Sequence, residues 1–149
     1  MTNSFDEAWL RQHQAKVKQQ TTPVDRIQFT LAKPVKLLNQ TLRMHWAARS
    51  AYSKSLAAEI ARVAPLLHEP MQKARVTVTR YSVREPDGDG LTGGCKQLID
   101  CLIVKSKRHP HGLSYIVDDS PAHLEFEARH SKVSTLKAQG TTVIIERLD

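Results

Sequence analysis

Apolar and polar residues alternate from Arg26 to Leu31 and place Ile27, Phe29 and Leu31 on one side of an extended chain. That is the pattern of a half-buried strand, and Pro34 closes it. Beyond Asn39 and Gln40 the period changes. Trp46 to Ala64 contains seven alanines and sets Tyr52, Leu56, Ile60 and Val63 at spacings of four and three, which predicts a long helix with Arg43, Arg49, Lys54 and Arg62 supplying its charge. Residues 73–83 read as a second strand through Val76, Thr77, Val78 and Thr79, flanked by Arg75 and Arg80. A turn-rich stretch from Pro86 to Gly94 leads into a second helix, where Leu98, Ile99, Leu102 and Ile103 form a stripe. A basic loop over residues 105–112 is followed by a segment ending in Asp118-Asp119. Residues 123–133 and 141–148 are then two closing strands joined through Lys137-Ala138-Gln139-Gly140.

The order strand, helix, strand, helix, strand, strand predicts an α+β fold, a small α/β sandwich whose mixed four-stranded sheet carries helices on one face. At 149 residues and 16.8 kDa the chain has room for one domain. We expect residues 25–149 to form it. Residues 1–24 are a polar, Gln- and Lys-rich extension in which Ser4 and Glu7 have capping-box spacing and predict a short helix ended by Thr21-Thr22-Pro23.

Composition narrows the class. With 40% hydrophobic and 25% charged residues the chain matches globular usage. It holds no run of ~18 apolar residues and its start carries Asp6 and Glu7, so neither a membrane span nor a secretory signal is expected and a cytoplasmic location follows. Cys95 and Cys101 lie six apart in a helical stretch, point to different faces, and read as buried thiols rather than a disulfide or zinc pair. The net charge of +7 favours a polyanionic partner. It is also uneven: residues 1–84 hold 14 of the 22 bases and 5 of the 15 acids, and residues 85–149 the remaining 8 and 10.

Six acids fall between positions 85 and 119: Glu85, Asp87, Asp89, Asp100, Asp118 and Asp119. If Asp87-Gly88-Asp89 ends a strand, alternation aims both carboxylates one way, and a later strand ending in Asp118-Asp119 brings a third beside them. Such a group needs neutralising. Hard oxygen donors match Mg²⁺, which keeps waters for a substrate phosphate, as in metal-dependent phosphodiesterases. The plainer reading is that these are solvated turn residues, since Asp and Gly are what tight turns use. Two other motifs fail. Counting an EF-hand from Asp87 puts Leu98 where Glu is required, and Gly94-Cys95 stand where a P-loop needs Lys and Ser or Thr.

Taken together, Asn39, Arg43 and Trp46 before a helix, then Asp87-x-Asp89, Lys96 and Asp100, then the pair Asp118-Asp119, resemble in order the motifs of the RusA family of Holliday junction resolvases. The match runs from about Arg26 to the C-terminus. The resemblance implies a Mg²⁺-dependent endodeoxyribonuclease, with Mn²⁺ able to substitute, acting as a homodimer that nicks four-way or branched DNA symmetrically in recombination and repair. It places the catalytic and metal-binding aspartates on Asp87, Asp89 and Asp119 and the motif lysine on Lys96, with Asp118 and Asp100 as secondary candidates. Gly90 stands where the family usually has Asn. Seven positions separate Asp89 from Lys96 where the family has about four, so three residues are expected to bulge out before the helix.

On this reading the aspartates hold the ion against a bridging phosphate, and Lys96 offsets charge on the phosphorane-like state. Arg43, His45, Arg49, Lys54, Lys105, Lys107 and Arg108 are the candidate DNA contacts, each weighed against an ordinary charged face. His109 and His111 read as phosphate contacts or solvated residues, and Trp46 as a core anchor. Two rival readings stand beside the resolvase: a non-catalytic basic nucleic-acid-binding module, and a general flap or branched-DNA nuclease.

Overall fold

The computed structural model describes residues 24–149; the expected helix in the N-terminal extension lies outside them. The elements in chain order are β1 (Arg26–Leu31), α1 (Leu38–Leu42), α2 (Trp46–Val63), β2 (Ala74–Ser82), α3 (Gly88–Gly94), α4 (Lys96–Leu102), β3 (Leu124–Lys132), a 3₁₀ turn (Leu136–Ala138) and β4 (Gly140–Arg147). The four strands form one mixed sheet in the order β1-β4-β2-β3. β4 is antiparallel to both β1 and β2, and β2 is parallel to β3. The α+β class and the mixed four-stranded sheet agree with the pattern of the chain.

Register carries the hydrophobic pattern across the sheet. Phe29 stands opposite Val143, Val143 opposite Val78, and Val78 opposite Ala128. The neighbouring row runs Ile27, Ile145, Val76, Phe126. A one-residue slip in any strand would turn these rows to the other face, which fixes the pairing. Against them pack Leu56 and Ile60 from α2, Leu91 from α3 and Leu98 and Leu102 from α4, all buried. The opposite face is polar, with rows such as Arg26, Glu146, Arg75, Glu125 alternating in sign; Arg75 and Glu125 meet at 2.9 Å. Opposite charges directly across strands stabilise a solvated sheet face.

The structure departs from the sequence reading in five places. The two closing strands are not neighbours, because β2 lies between β3 and β4. Residues 113–119 form no strand; Ile116 makes only isolated bridges to Met71 and Ile103. The turn-rich stretch is the helix α3, so the residues expected to bulge out before the next helix are themselves helical. Trp46 is no core anchor: it is the first residue of α2 and 69% exposed. Arg75 and Arg80 lie within β2 rather than flanking it, and Arg80 is buried.

Gly93 and Gly94 explain how so poor a helix former survives. A Cβ on Gly94 would stand 2.2 Å from the Lys36 carbonyl oxygen and 2.8 Å from the Leu37 Cα, and one on Gly93 would meet the Leu38 side chain. The chain entering α1 and the last turn of α3 therefore touch backbone to backbone. Only glycine permits that approach, and tertiary contact overrides the helix propensity glycine lacks.

Candidate active site

Lys96 opens α4, directly after α3, and its ammonium is the centre of the site. Nζ lies 3.0 Å from Asp100 Oδ1, one helical turn on, and donates a hydrogen bond to Asp119 Oδ2 at 3.1 Å. The first contact follows from i,i+4 spacing. The second joins residues 23 apart in the chain. It forms because the loop after α4 returns along the core, where Ile116 bridges Met71 and Ile103, and so brings the next turn over the start of α4. Partial burial draws the lysine pKa down, but the hydrogen bonds to Asp100 and Asp119 outweigh it and raise it overall. The Lys96 hydrogen bond likewise holds the Asp119 carboxyl below the ordinary 3.8. Both groups are charged at neutral pH. They line a shallow cleft of about 260 Å³ with Thr92, Gly93, Ile99 and Phe126.

Asp87 and Asp89 stand elsewhere on the same helical run. Asp87 is the N-cap of α3, and its Oδ1 accepts the Gly90 N–H at 3.0 Å. That bond satisfies one of the donors every helix start leaves open. A Cβ at position 90 would come 2.2 Å from the same oxygen, so Gly90 leaves the room in which the Asp87 carboxylate sits. Asp89 lies in the first turn and precedes Lys96 by seven positions, roughly 10 Å of helical rise. The helix thus holds Asp87 and Asp89 at its start, in place of the strand end whose alternation would have aimed them together.

By donor type Asp87, Asp89, Asp118 and Asp119 suit Mg²⁺. The expected trio is not gathered: among the described residues no three His, Cys, Asp or Glu side chains stand close enough to hold a metal ion, although Mg²⁺ itself needs only one or two carboxylates. The Asp119 oxygen expected to face a cation faces the Lys96 ammonium.

Two residues with small parts in the sequence reading belong to this site. Asp100 Oδ1 also lies 3.7 Å from His109 Nδ1, and the His109 side chain is largely buried. The basic loop thus packs against α4 at this point, without a hydrogen bond between the two side chains. Its Arg108, His109 and His111 line a pocket of about 180 Å³ with Ser50 and Ser53 of α2 and with Asp100. The fold thus joins the loop holding the predicted contacts Lys105, Lys107 and Arg108 to the helix holding Arg49 and Lys54. All five are exposed, as are Arg43 and His45 at the α1–α2 junction, where His45 Nδ1 accepts the Ala47 N–H to cap α2. The exposed Trp46 ring lies beside the His45 ring at 5.5 Å between centroids. Spacing alone gave no signal for His109, because its partner sits on a different element.

Cys95 and Cys101 are free and buried, as their spacing implied, with the Cys101 thiol donating to the Ser53 carbonyl at 3.3 Å. Among the described residues no helix is long and apolar enough to cross a membrane. No family model matches the chain, and no curated protein matches it significantly.

Proposed function

We propose that the chain is a structure-selective endodeoxyribonuclease of RusA type, which nicks four-way junctions as a cytoplasmic homodimer with Mg²⁺ as cofactor. The observation that supports this reading best is the 3.1 Å contact between Lys96 and Asp119. The two motif residues that the resemblance assigns to one site are 23 positions apart and meet in an open cleft, flanked by the basic loop. In that site Lys96 presents a cation to the non-bridging oxygens of a phosphodiester and offsets the charge that grows as hydrolysis proceeds. Asp119 and Asp100 position the ammonium. Arg49, Lys54, Lys105, Lys107 and Arg108 follow the backbone. Two active sites related by a two-fold axis match two symmetric nicks. The free thiols fit a reducing compartment.

The cofactor rests on the resemblance and on donor type. Its test is a Mn²⁺ titration of wild type and Asp119→Asn, followed by paramagnetic broadening: the ion should broaden resonances at residues 118–119 in wild type alone. Activity is tested on a synthetic four-way junction with flap and linear duplex as competitors. Asp119→Asn and Asp87→Asn should each abolish nicking while binding persists. Unchanged cleavage by both would discard the assignment.

The separation of Asp87 and Asp89 from Asp119 favours a second reading, a basic module that binds branched nucleic acid without cutting it. Tight junction binding with no nicking in Mg²⁺ or Mn²⁺ would select it.

A further inference from the structure

A cleft of about 520 Å³ lies beside the Glu85-Pro86 segment and is lined by Leu37, Gln40, Arg80, Arg84, Leu136 and Gln139 among others. Its floor holds a charge with no counterion. Arg80 is only 8% exposed, yet no carboxylate lies within 4.0 Å of its guanidinium among the described residues. Nε donates to the Val35 carbonyl and Nη1 to Ser82 Oγ, both at 2.7 Å, and Nη2 has no hydrogen-bond partner among those residues. The titratable groups that act on it are the Tyr52 phenol and the Cys95 thiol, and the His130 imidazole shares the Ser82 hydroxyl with it, Nε2 lying 2.9 Å from Oγ. Burial keeps the phenol and the thiol neutral at physiological pH and pushes the thiol up to about 12. The one acid lining the cleft, Glu85, pairs with no base among the described residues.

Arginines this buried are normally paired, because a desolvated cation without an anion is strongly destabilising. The walls add donors. Gln40 Oε1 accepts the Leu37 N–H at 2.8 Å and Gln139 Oε1 accepts the Val83 N–H at 3.1 Å. Neither amide NH₂ has a hydrogen-bond partner among the described residues, and both side chains line the cleft. Arg84 stands exposed at the rim. A buried guanidinium, a second arginine and two amide donors around one opening match the oxygens of a phosphoryl anion.

We propose that the Arg80 cleft is a phosphate subsite that takes a backbone phosphodiester of the DNA strand lying across the candidate active site. The inference rests on the nuclease reading for its ligand, but its test needs no cleavage. Binding of a short oligothymidylate without terminal phosphate, and of inorganic phosphate, is measured by calorimetry on the full chain in EDTA. Wild type should bind the oligomer, and Arg80→Met should weaken this about ten-fold or more, a loss near 1.4 kcal/mol. Gln139→Glu keeps the oxygen that the Val83 N–H needs and sets a carboxylate before Arg80. It should raise Tm and lose the oligomer, and it carries the test if Arg80→Met does not fold.

Oligomer binding indifferent to Gln139→Glu and to Arg80→Met overturns the subsite even if junctions are nicked. Phosphate binding that the oligomer does not displace assigns the cleft to free phosphate and overturns the backbone assignment. Arg80-dependent oligomer binding in a protein that nicks no junction supports the subsite and sinks the nuclease reading.

Discussion

At the scale of single residues, the Lys96 ammonium decides what the site can do, because two carboxylates hold it in place. Removing one should be visible without any substrate. In Asp119→Asn the lysine loses one of its two hydrogen-bonded anions, so its raised pKa should fall toward the ordinary 10.5, read from the Nζ resonance by NMR. An unmoved titration would mean that the contact is not formed in solution. His109 acts one step further away, through Asp100. His109→Ala should loosen the basic loop and weaken junction binding several-fold, while a His109→Gln variant able to donate to Asp100 should recover part of it. Binding indifferent to both would make the loop's docking irrelevant to DNA. The aspartates and Lys96 were legible in the sequence as candidates because their types and order carry the resemblance. Their separation was not, since it depends on whether residues 86–94 form a turn or a helix, and Asp, Gly and Pro favour either a turn or a helix start.

At the scale of elements, α3 is the piece that sequence patterning misses, and Gly94 is the reason. Its glycines signal a turn by propensity, whereas the helix is held by the close pass of residues 36–37. Three of the other elements carried clear signals of their own. β1 and β2 show period-two alternation and α2 shows apolar spacing of three and four, and each matches the structure to within a residue or two. The segment before Asp118-Asp119 is apolar at Tyr115, Ile116 and Val117, which suggests a strand, but Tyr115 and Ile116 fill the core and only Ile116 makes isolated bridges. Gly94→Ala tests the helix-crossing account. The methyl would strike backbone that cannot swing aside, so destabilisation should reach or exceed the usual overpacking loss of about 1–3 kcal/mol, measured by urea unfolding. Gly88→Ala, whose Cβ would meet nothing within 4 Å, is the matched control and should be neutral or slightly stabilising. Equal effects at the two positions would remove the packing explanation for α3.

At the scale of the whole molecule, the pH dependence of stability should be a plateau with two unequal limbs. The acid limb comes from Asp119. Its folded pKa lies below 3.8, so its stabilisation is complete above that value and is lost as pH falls through the lowered one. Because the pair is partly exposed, this limb is shallow, about 0–1 kcal/mol. The alkaline limb comes chiefly from Cys95 and Cys101. Burial raises both thiols from 9.0 to about 12, so the unfolded chain ionises first and the folded state loses stability as pH climbs between those values. Each unit of difference is worth about 1.4 kcal/mol, and two thiols act together, so this limb should be much the steeper. The sheet contributes little to either limb, since its outer charged rows are solvent-screened pairs. Urea midpoints across pH 3 to pH 11, roughly the span of these shifts, should therefore fall sharply only on the alkaline side. Replacing both cysteines by alanine should lower the plateau through lost packing but flatten its alkaline edge. An alkaline limb unchanged by that double substitution would show that the thiols are not what the folded core keeps neutral.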